Sequence, residues 1–293
     1  MRYAVSIICK EDRVGTLYLC PTPIGHLDDI TYRTVRTLAA ADLICAEDTR
    51  HSLRLLRHYN IERPLLSFHE HNSVQRIPQL LERLRGGEDI ALITDAGTPA
   101  ISDPGEDLVR AAIDAGIRVV PLPGAAAVIT ALIASGCSTR AFVFEGFLPT
   151  DNRNRRRILS RNAEEVRTMI FYEAPHRLQQ TLEEMAEVFG AQRQVTLCRE
   201  MTKAHEEFEY TTLGDASARY GERMPRGEYV LVVAGRSERA LTEERYAAAR
   251  RGDLSEDMRR HMDAGLTEKE AMKAVARERG VSKRAIYSEW KRR

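Results

Sequence analysis

The sequence predicts an α/β chain in which a parallel-sheet domain is followed by a mixed-sheet domain and a small helical tail. Three observations predict it. Between Gly15 and Leu122, short apolar runs alternate with segments whose apolar residues recur at helical spacing, the signature of a doubly wound parallel sheet. Beyond Gly136, β-rich runs follow one another with fewer helical segments between them, which indicates antiparallel pairing in a second sheet. After Gly235 the strand signals stop and capped helical segments take over. The boundaries that follow are an N-terminal extension over 1–13, a first domain over 14–124, a second over 125–236 and a tail over 237–293. A chain of 293 residues suffices for two cores at about 100–200 residues each.

The run T-L-Y-L-C from Thr16 reads as the first strand, and P-T-P-I-G at Pro21 to Gly25 as a stiff loop behind it. Ile30 to Ala41 has helical spacing, and Leu43 to Ala46 is a second strand that runs into Glu47-Asp48-Thr49-Arg50. Asp48 or Thr49 is a helix cap by composition. Leu65 to Phe68 is a third strand followed by His69-Glu70-His71-Asn72. Those histidines lack H-E-x-x-H spacing and have no further ligands before Ile90, so no metal is expected. Val74 to Arg85 is an amphipathic helix with Pro78 placed in its first turn and Gly86-Gly87 as its stop. Ile90 to Thr94 is a buried fourth strand that breaks into D-A-G-T-P at Asp95. Leu108 to Ala115 is a helix, Ile117 to Leu122 a fifth strand, and Pro123-Gly124-Ala125-Ala126-Ala127 opens the helix Val128 to Ser135.

Ligands of open α/β sheets sit outside the carboxyl ends of strands, so the turn at Asp95, Ala96, Gly97, Thr98 and Pro99 is the place to look for one. G-x-G-x-x-G is absent after the first strand and G-x-x-x-x-G-K-[ST] is absent throughout, which disfavours an ordinary dinucleotide dehydrogenase and a P-loop NTPase. In the second domain, strands are expected at Phe142 to Phe144, Val166 to Tyr172, Gln194 to Cys198, Glu209 to Leu213 and Tyr229 to Val233. Helices are expected at Asn152 to Asn162 and Leu178 to Phe189. Arg153, Arg155, Arg156, Arg157 and Arg161 make a basic helix start. In the tail, Thr267 and Glu270 form a capping box, and Ser282 caps a helix with Ile286 and Trp290 on one face and Lys283 and Arg284 near its start. Helix, Gly280 turn and helix is helix-turn-helix spacing, and the basic end reads as a nucleic-acid arm.

Hydrophobic content of 43% and charged content of 30% describe a globular protein. No apolar run approaches the ~20 residues a membrane span needs. The opening segment meets Lys10 to Arg13 too soon for a signal peptide. The five cysteines are scattered without C-x-x-C, which suits reduced thiols in a cytoplasmic protein. A net charge of +1 rules out a uniformly basic chain and leaves room for a local basic face.

In order along the chain, P-T-P-I-G-H-L-D-D-I-T, A-E-D-T-R, F-H-E-H-N, T-D-A-G-T-P-A-I-S-D-P-G, F-E-G-F-L-P, A-P-H-R-L and R-E-M-T-K-A-H-E-E resemble the tetrapyrrole methylase superfamily. Within it the likeness is to the branch that methylates the ribose 2′-oxygen of a cytidine in the decoding region of small-subunit ribosomal RNA. The resemblance covers roughly Gly15 to Gly235, and the tail matches that branch's C-terminal extension. It implies a two-domain, class III methyltransferase that binds S-adenosylmethionine in an interdomain cleft, as a homodimer in the cytoplasm, with RNA in the assembled 30S particle as partner. Cofactor contacts are then expected at Ile24, at Asp95, Ala96, Gly97 and Ala100, at Ala126 and Ala127, and at Glu173 and Met201. Candidate proton acceptors are His69, Glu70, His71 and Asp48, with Arg50 as a phosphate or carboxylate holder. Arg153, Arg155, Arg156, Arg157, Lys283 and Arg284 are candidate RNA contacts. The chain departs from the family pattern at His26, at Ala125-Ala126 in place of Pro-Ser, and at Thr150-Asp151 in place of Arg-Lys. Two rival expectations are a C-methyltransferase of a tetrapyrrole precursor and a non-catalytic RNA-binding assembly factor.

Overall fold

A computed structural model of the chain describes residues 13–222, 224–237 and 253–291. In the first half, strands β1 (Thr16–Leu19), β2 (Leu43–Ala46), β3 (Leu65–Ser67), β4 (Ile90–Ile93) and β5 (Arg118–Pro121) alternate with α1 (Tyr32–Ala40), α2 (Thr49–His58), α3 (Ser73–Arg85) and α4 (Glu106–Asp114). The sheet order is β3-β2-β4-β1-β5, with every pair parallel. Alternate residues of β4 enter the cores on opposite faces, Ile90 and Leu92 on one, Ala91 and Ile93 on the other. Both faces being covered explains why this strand reads as an unbroken apolar run.

The second half begins with α5 (Ala127–Ala134), then β6 (Phe142–Phe147), α6 (Asn152–Arg161), β7 (Thr168–Glu173), α7 (Pro175–Phe189), β8 (Gln194–Arg199), β9 (Glu207–Thr212), α8 (Leu213–Glu222) and β10 (Tyr229–Val233). Its sheet order is β6-β7-β10-β8-β9, parallel only between β6 and β7. Helix α5 packs Val128, Ala131 and Leu132 onto this second sheet, against Ile170 of β7 and Val230 and Val232 of β10. A tail of α9 (Leu254–Asp263), α10 (Glu268–Glu278) and α11 (Lys283–Trp290) closes its own small core around Met258, Val275 and Ile286.

Three expectations change. Pro78 falls in the second turn of α3, where it costs one hydrogen bond of that helix. Helix α8 starts at Leu213, which the sequence pattern assigns to a strand; its buried Leu213, Ala216 and Tyr220 alternate with Gly214, Ser217 and Gly221, poor helix formers that mask the period. Helix α9 is new, capped by Asp253, whose carboxylate accepts the Ser255 amide. The expected extension over 1–13, apart from Arg13, and the terminal Arg292 and Arg293 lie outside the described residues.

Candidate functional site

The crevice of the first sheet follows from its strand order. Neighbours β1 and β4 send their chains to opposite sides, β1 towards β2 and β4 towards β5, and open sheets bind ligands at such a reversal. The two loops that leave these strands are tied together. Thr22 N–H donates to Gly97 O at 2.8 Å, Gly97 N–H returns a bond to Thr22 O at 3.1 Å, and Thr22 Oγ1 donates to Thr94 O at 3.0 Å. Gly97 has φ +87°, and a Cβ there would stand 3.3 Å from Ile24 Cγ2, so glycine is what lets the loops close. Farther along the same turn, Ala100 (φ +66°) and Ser102 (φ +61°) are also left-handed, a conformation costing about 1–3 kcal/mol each for such residues. The first loop also reaches the second sheet, where the His26 amide donates to Thr202 Oγ1 at 3.2 Å.

Between the two sheets lies a cavity of about 490 Å³. Ile24, Asp95, Ala96 and Gly97 line it from the first sheet, Ala126 and Ala127 from the start of α5, and Glu173 and Met201 from the second sheet. Ala100 is not on its wall; it packs beneath Gly105, whose missing Cβ would stand 3.1 Å from the Ala100 Cβ. His69, Glu70 and His71 follow the edge strand β3, with β2 between them and the crevice, and they do not line the cavity. Neither do Asp48 and Arg50. Asp48 caps α2, its Oδ1 accepting the amides of Arg50 at 2.8 Å and His51 at 3.4 Å, and those bonds hold its carboxyl below the usual range.

Four carboxylates on the wall escape the sequence reading: Glu47, Asp103, Glu200 and Glu228, the last two both bonded to Lys203 Nζ, at 3.0 and 2.7 Å. Glu47 Oε2 accepts the Thr94 hydroxyl at 3.2 Å, and Asp95 Oδ1 accepts the Asp48 amide at 3.2 Å. Burial, together with the negative charges of Glu47 and Asp95, pushes the Asp103 carboxyl up to about 6 against the opposing effect of the nearby Thr94 hydroxyl. The available signal was position: Glu47 ends β2, and S-D-P-G places Asp103 at the end of the central turn.

On the opposite wall, Tyr172 stacks edge-on with Phe144 and Phe147, and burial pushes its phenol up to about 12 against the lowering effect of the Val128 amide. Glu173 is committed to structure as well as to the wall. Its Oε2 accepts Thr181 Oγ1–H at 2.5 Å and its Oε1 accepts the Ala174 amide at 2.9 Å, which starts α7. Cys198 also borders the cavity, with its thiol pushed up to about 12 by burial and so kept neutral.

Arg155 must be withdrawn from the candidate RNA contacts. It is 2% exposed, bonded through Nε to Glu184 Oε2 and through Nη2 to Thr181 Oγ1, both at 2.5 Å. In the helical period it points inward with Leu159, while Arg153, Arg156 and Arg157 stay exposed on α6. Lys283 and Arg284 are exposed at the start of α11.

Residues 16–217 match the family model described as Tetrapyrrole (Corrin/Porphyrin) Methylases. The chain is 48% identical over 274 residues to the protein named ribosomal RNA small subunit methyltransferase I of Synechocystis, covering 94% of this chain and 96% of that one. The Bacillus subtilis protein of the same name is 43% identical, with 98% of this chain and 97% of that one covered. Among solved structures, uroporphyrin III C-methyl transferase from Thermus thermophilus shares the fold at a TM-score of 0.56 and 14% identity, over 75% of this chain and 97% of that one. Cobalt precorrin-4 methyltransferase does so at 0.56 and 18%, over 74% and 94%.

Proposed function

The chain belongs to the tetrapyrrole (corrin/porphyrin) methylase family, and from that membership and the name of its relatives we propose that it transfers a methyl group from S-adenosylmethionine to small-subunit ribosomal RNA. The acceptor is read as the ribose 2′-oxygen of a cytidine in the decoding region. The observation that carries the donor assignment is the cavity at the strand reversal, whose wall suits this molecule. Small apolar side chains at Ala96, Ala126 and Ala127 leave room for a flat ring, and Glu47 and Asp95 offer negative charge to a cation. When bound, the donor supplies a methyl group on positively charged sulfur.

Of the chain's own residues, Asp95, Gly97 and Ile24 would hold the donor, and the tied loops would fix it relative to the acceptor. Orientation of this kind is worth up to about 7–11 kcal/mol of the barrier. Arg153, Arg156 and Arg157, with Lys283 and Arg284, would contact RNA phosphates. The relatives' shared name supports the RNA substrate over a tetrapyrrole. The two sheets are read as two domains, with α5 given to the second because it packs there. A homodimer is supported by Ile129 and Ile133, exposed one turn apart on α5. No described helix is long and apolar enough to cross a membrane, which accords with work on ribosomes in the cytoplasm.

Labelled methyl transfer from S-adenosylmethionine to 30S particles from cells lacking this protein, with Asp95→Ala alongside, tests the reading. Label on a ribose 2′-oxygen, lost with Asp95→Ala, is the expected result. Label on a tetrapyrrole precursor instead, or none on any RNA despite donor binding, would overturn it.

A further inference from the structure

We propose that Asp103 is the general base that takes the proton of the acceptor hydroxyl, with Thr94 and Glu47 as the residues that position it. The inference rests on the methyl-transfer reading above and identifies its proton acceptor. A ribose hydroxyl is far too weak an acid to ionise unaided near neutral pH, so a base at the site raises the rate, most effectively when it titrates near the working pH.

Each of the other carboxylates near the cavity is held by a donor at bonding distance, and Asp103 is not. Asp48 lies off the wall, and its Oδ1 is spent on two amides of α2. Glu173 is 2% exposed and bonded at both oxygens, to Thr181 and to the Ala174 amide. Asp95 accepts the Asp48 amide, Glu47 accepts the Thr94 hydroxyl, Glu200 accepts Lys203 Nζ and the Glu228 amide, and Glu228 accepts Lys203 Nζ. Asp103 borders the cavity beside Thr94, whose hydroxyl proton goes to Glu47, and among the described residues no amide, lysine or arginine donates to either Asp103 oxygen, which leaves them open to receive a proton. His69 and His71 stand behind the edge strand, off the wall.

Backbone constraints keep Asp103 in place. Ser102 before it is left-handed, and Pro104 after it restricts Asp103 itself to extended conformations. The Ser102 hydroxyl packs against Gly146 in the bulge of β6, where a Cβ would come within 3.1 Å of it, so the turn is braced on the second sheet. The groups that face Asp103 are Glu47 at the end of β2, Thr94 and Asp95 at the end of β4, and Tyr172 of β7 across the cavity. The two acids raise its proton affinity, Thr94 moderates it, and Tyr172 is neutral below pH 9.

In the step, the hydroxyl oxygen uses one electron pair to form the new bond to the methyl carbon. The carbon–sulfur bond breaks, its pair remains on sulfur and cancels the positive charge there, and the hydroxyl proton passes to the Asp103 carboxylate. The products are a methyl ether, a neutral thioether and a carboxylic acid, which then loses its proton to water.

Two measurements test the proposal. Carbon-13 NMR of the aspartate carboxyls in the unmodified, ligand-free protein, assigned with Asp103→Asn, should show Asp103 titrating near 6; titration near 4 would overturn the proposal. In single-turnover methyl transfer, Asp103→Asn should lower the rate about 10²–10⁴-fold while calorimetry shows unchanged donor affinity. Asp103→Glu should restore part of the rate and keep a rising pH limb that Asp103→Asn lacks. A full rate in Asp103→Asn, or a loss that tracks lost donor affinity, would sink the base assignment while the unmodified protein still methylates RNA. Absence of methylation by the unmodified protein would instead remove the reading beneath it.

Discussion

At the scale of single residues, two charged side chains behave opposite to their appearance in the sequence. Arg155 sits in a run of arginines yet is buried against Glu184 and Thr181. Removing it takes the charge partner from Glu184, which keeps Gln180 and some water contact, so Arg155→Ala should destabilise the protein by about 2–3 kcal/mol in urea unfolding. Arg156→Ala, on the exposed side of the same helix, should leave the urea midpoint unchanged and instead weaken RNA binding and its salt dependence. Asp103 is the converse case, an aspartate made less acidic by burial beside Glu47 and Asp95. Its folded value of about 6 lies above its unfolded one, so the folded state binds the proton more tightly and stability falls as pH rises from about 4 to 6. Asp103→Asn should flatten that part of the stability curve, measured by thermal unfolding across pH.

At the scale of elements, caps and close approaches decide what forms. Helix α10 carries a complete capping box: Thr267 Oγ1 accepts the Glu270 amide and the Glu270 carboxylate accepts the Thr267 amide. Thr267→Ala should cost about 1 kcal/mol, read as lower hydrogen-exchange protection in α10 and α11 with the two sheets unaffected. The turn after β4 depends on glycine more severely. Gly105 has φ +143°, and a Cβ there would stand 2.8 Å from Leu92 Cδ2, in the core beneath the cavity. Gly105→Ala should therefore disturb the turn that carries Asp103, lowering methyl transfer and thermal stability together. Strand β6 is longer than its sequence pattern because a bulge between Phe144 and Gly146 turns the strand towards that same turn.

At the scale of the whole molecule, the cavity belongs to neither sheet alone. Its floor is the reversal between β1 and β4, and its far wall is β7 with the R-E-M-T-K turn after β8. A ligand that bridges the two halves stabilises both, so S-adenosylmethionine at 100 times its dissociation constant should add about 2.7 kcal/mol to unfolding, seen as a raised Tm. Asp95→Ala should remove that shift without lowering the ligand-free Tm comparably.

Much of this architecture was legible in the chain, and the reason is local. Alternation of buried strands with amphipathic helices, Gly and Pro at the turns, and the caps at Asp48, Thr267 and Ser282 are written in neighbouring residues, as are the strand ends where Asp95 and Ala126 stand. Tertiary structure decided what depends on distant partners. The order β3-β2-β4-β1-β5 moved His69 and His71 away from the crevice, packing turned Arg155 inward onto α7, and the approach of Glu47 and Asp95 changed the chemistry of Asp103. Periodicity fixes which face of an element is apolar, but burial and charge at a site are sums over residues far apart in the chain, which only the folded molecule brings together.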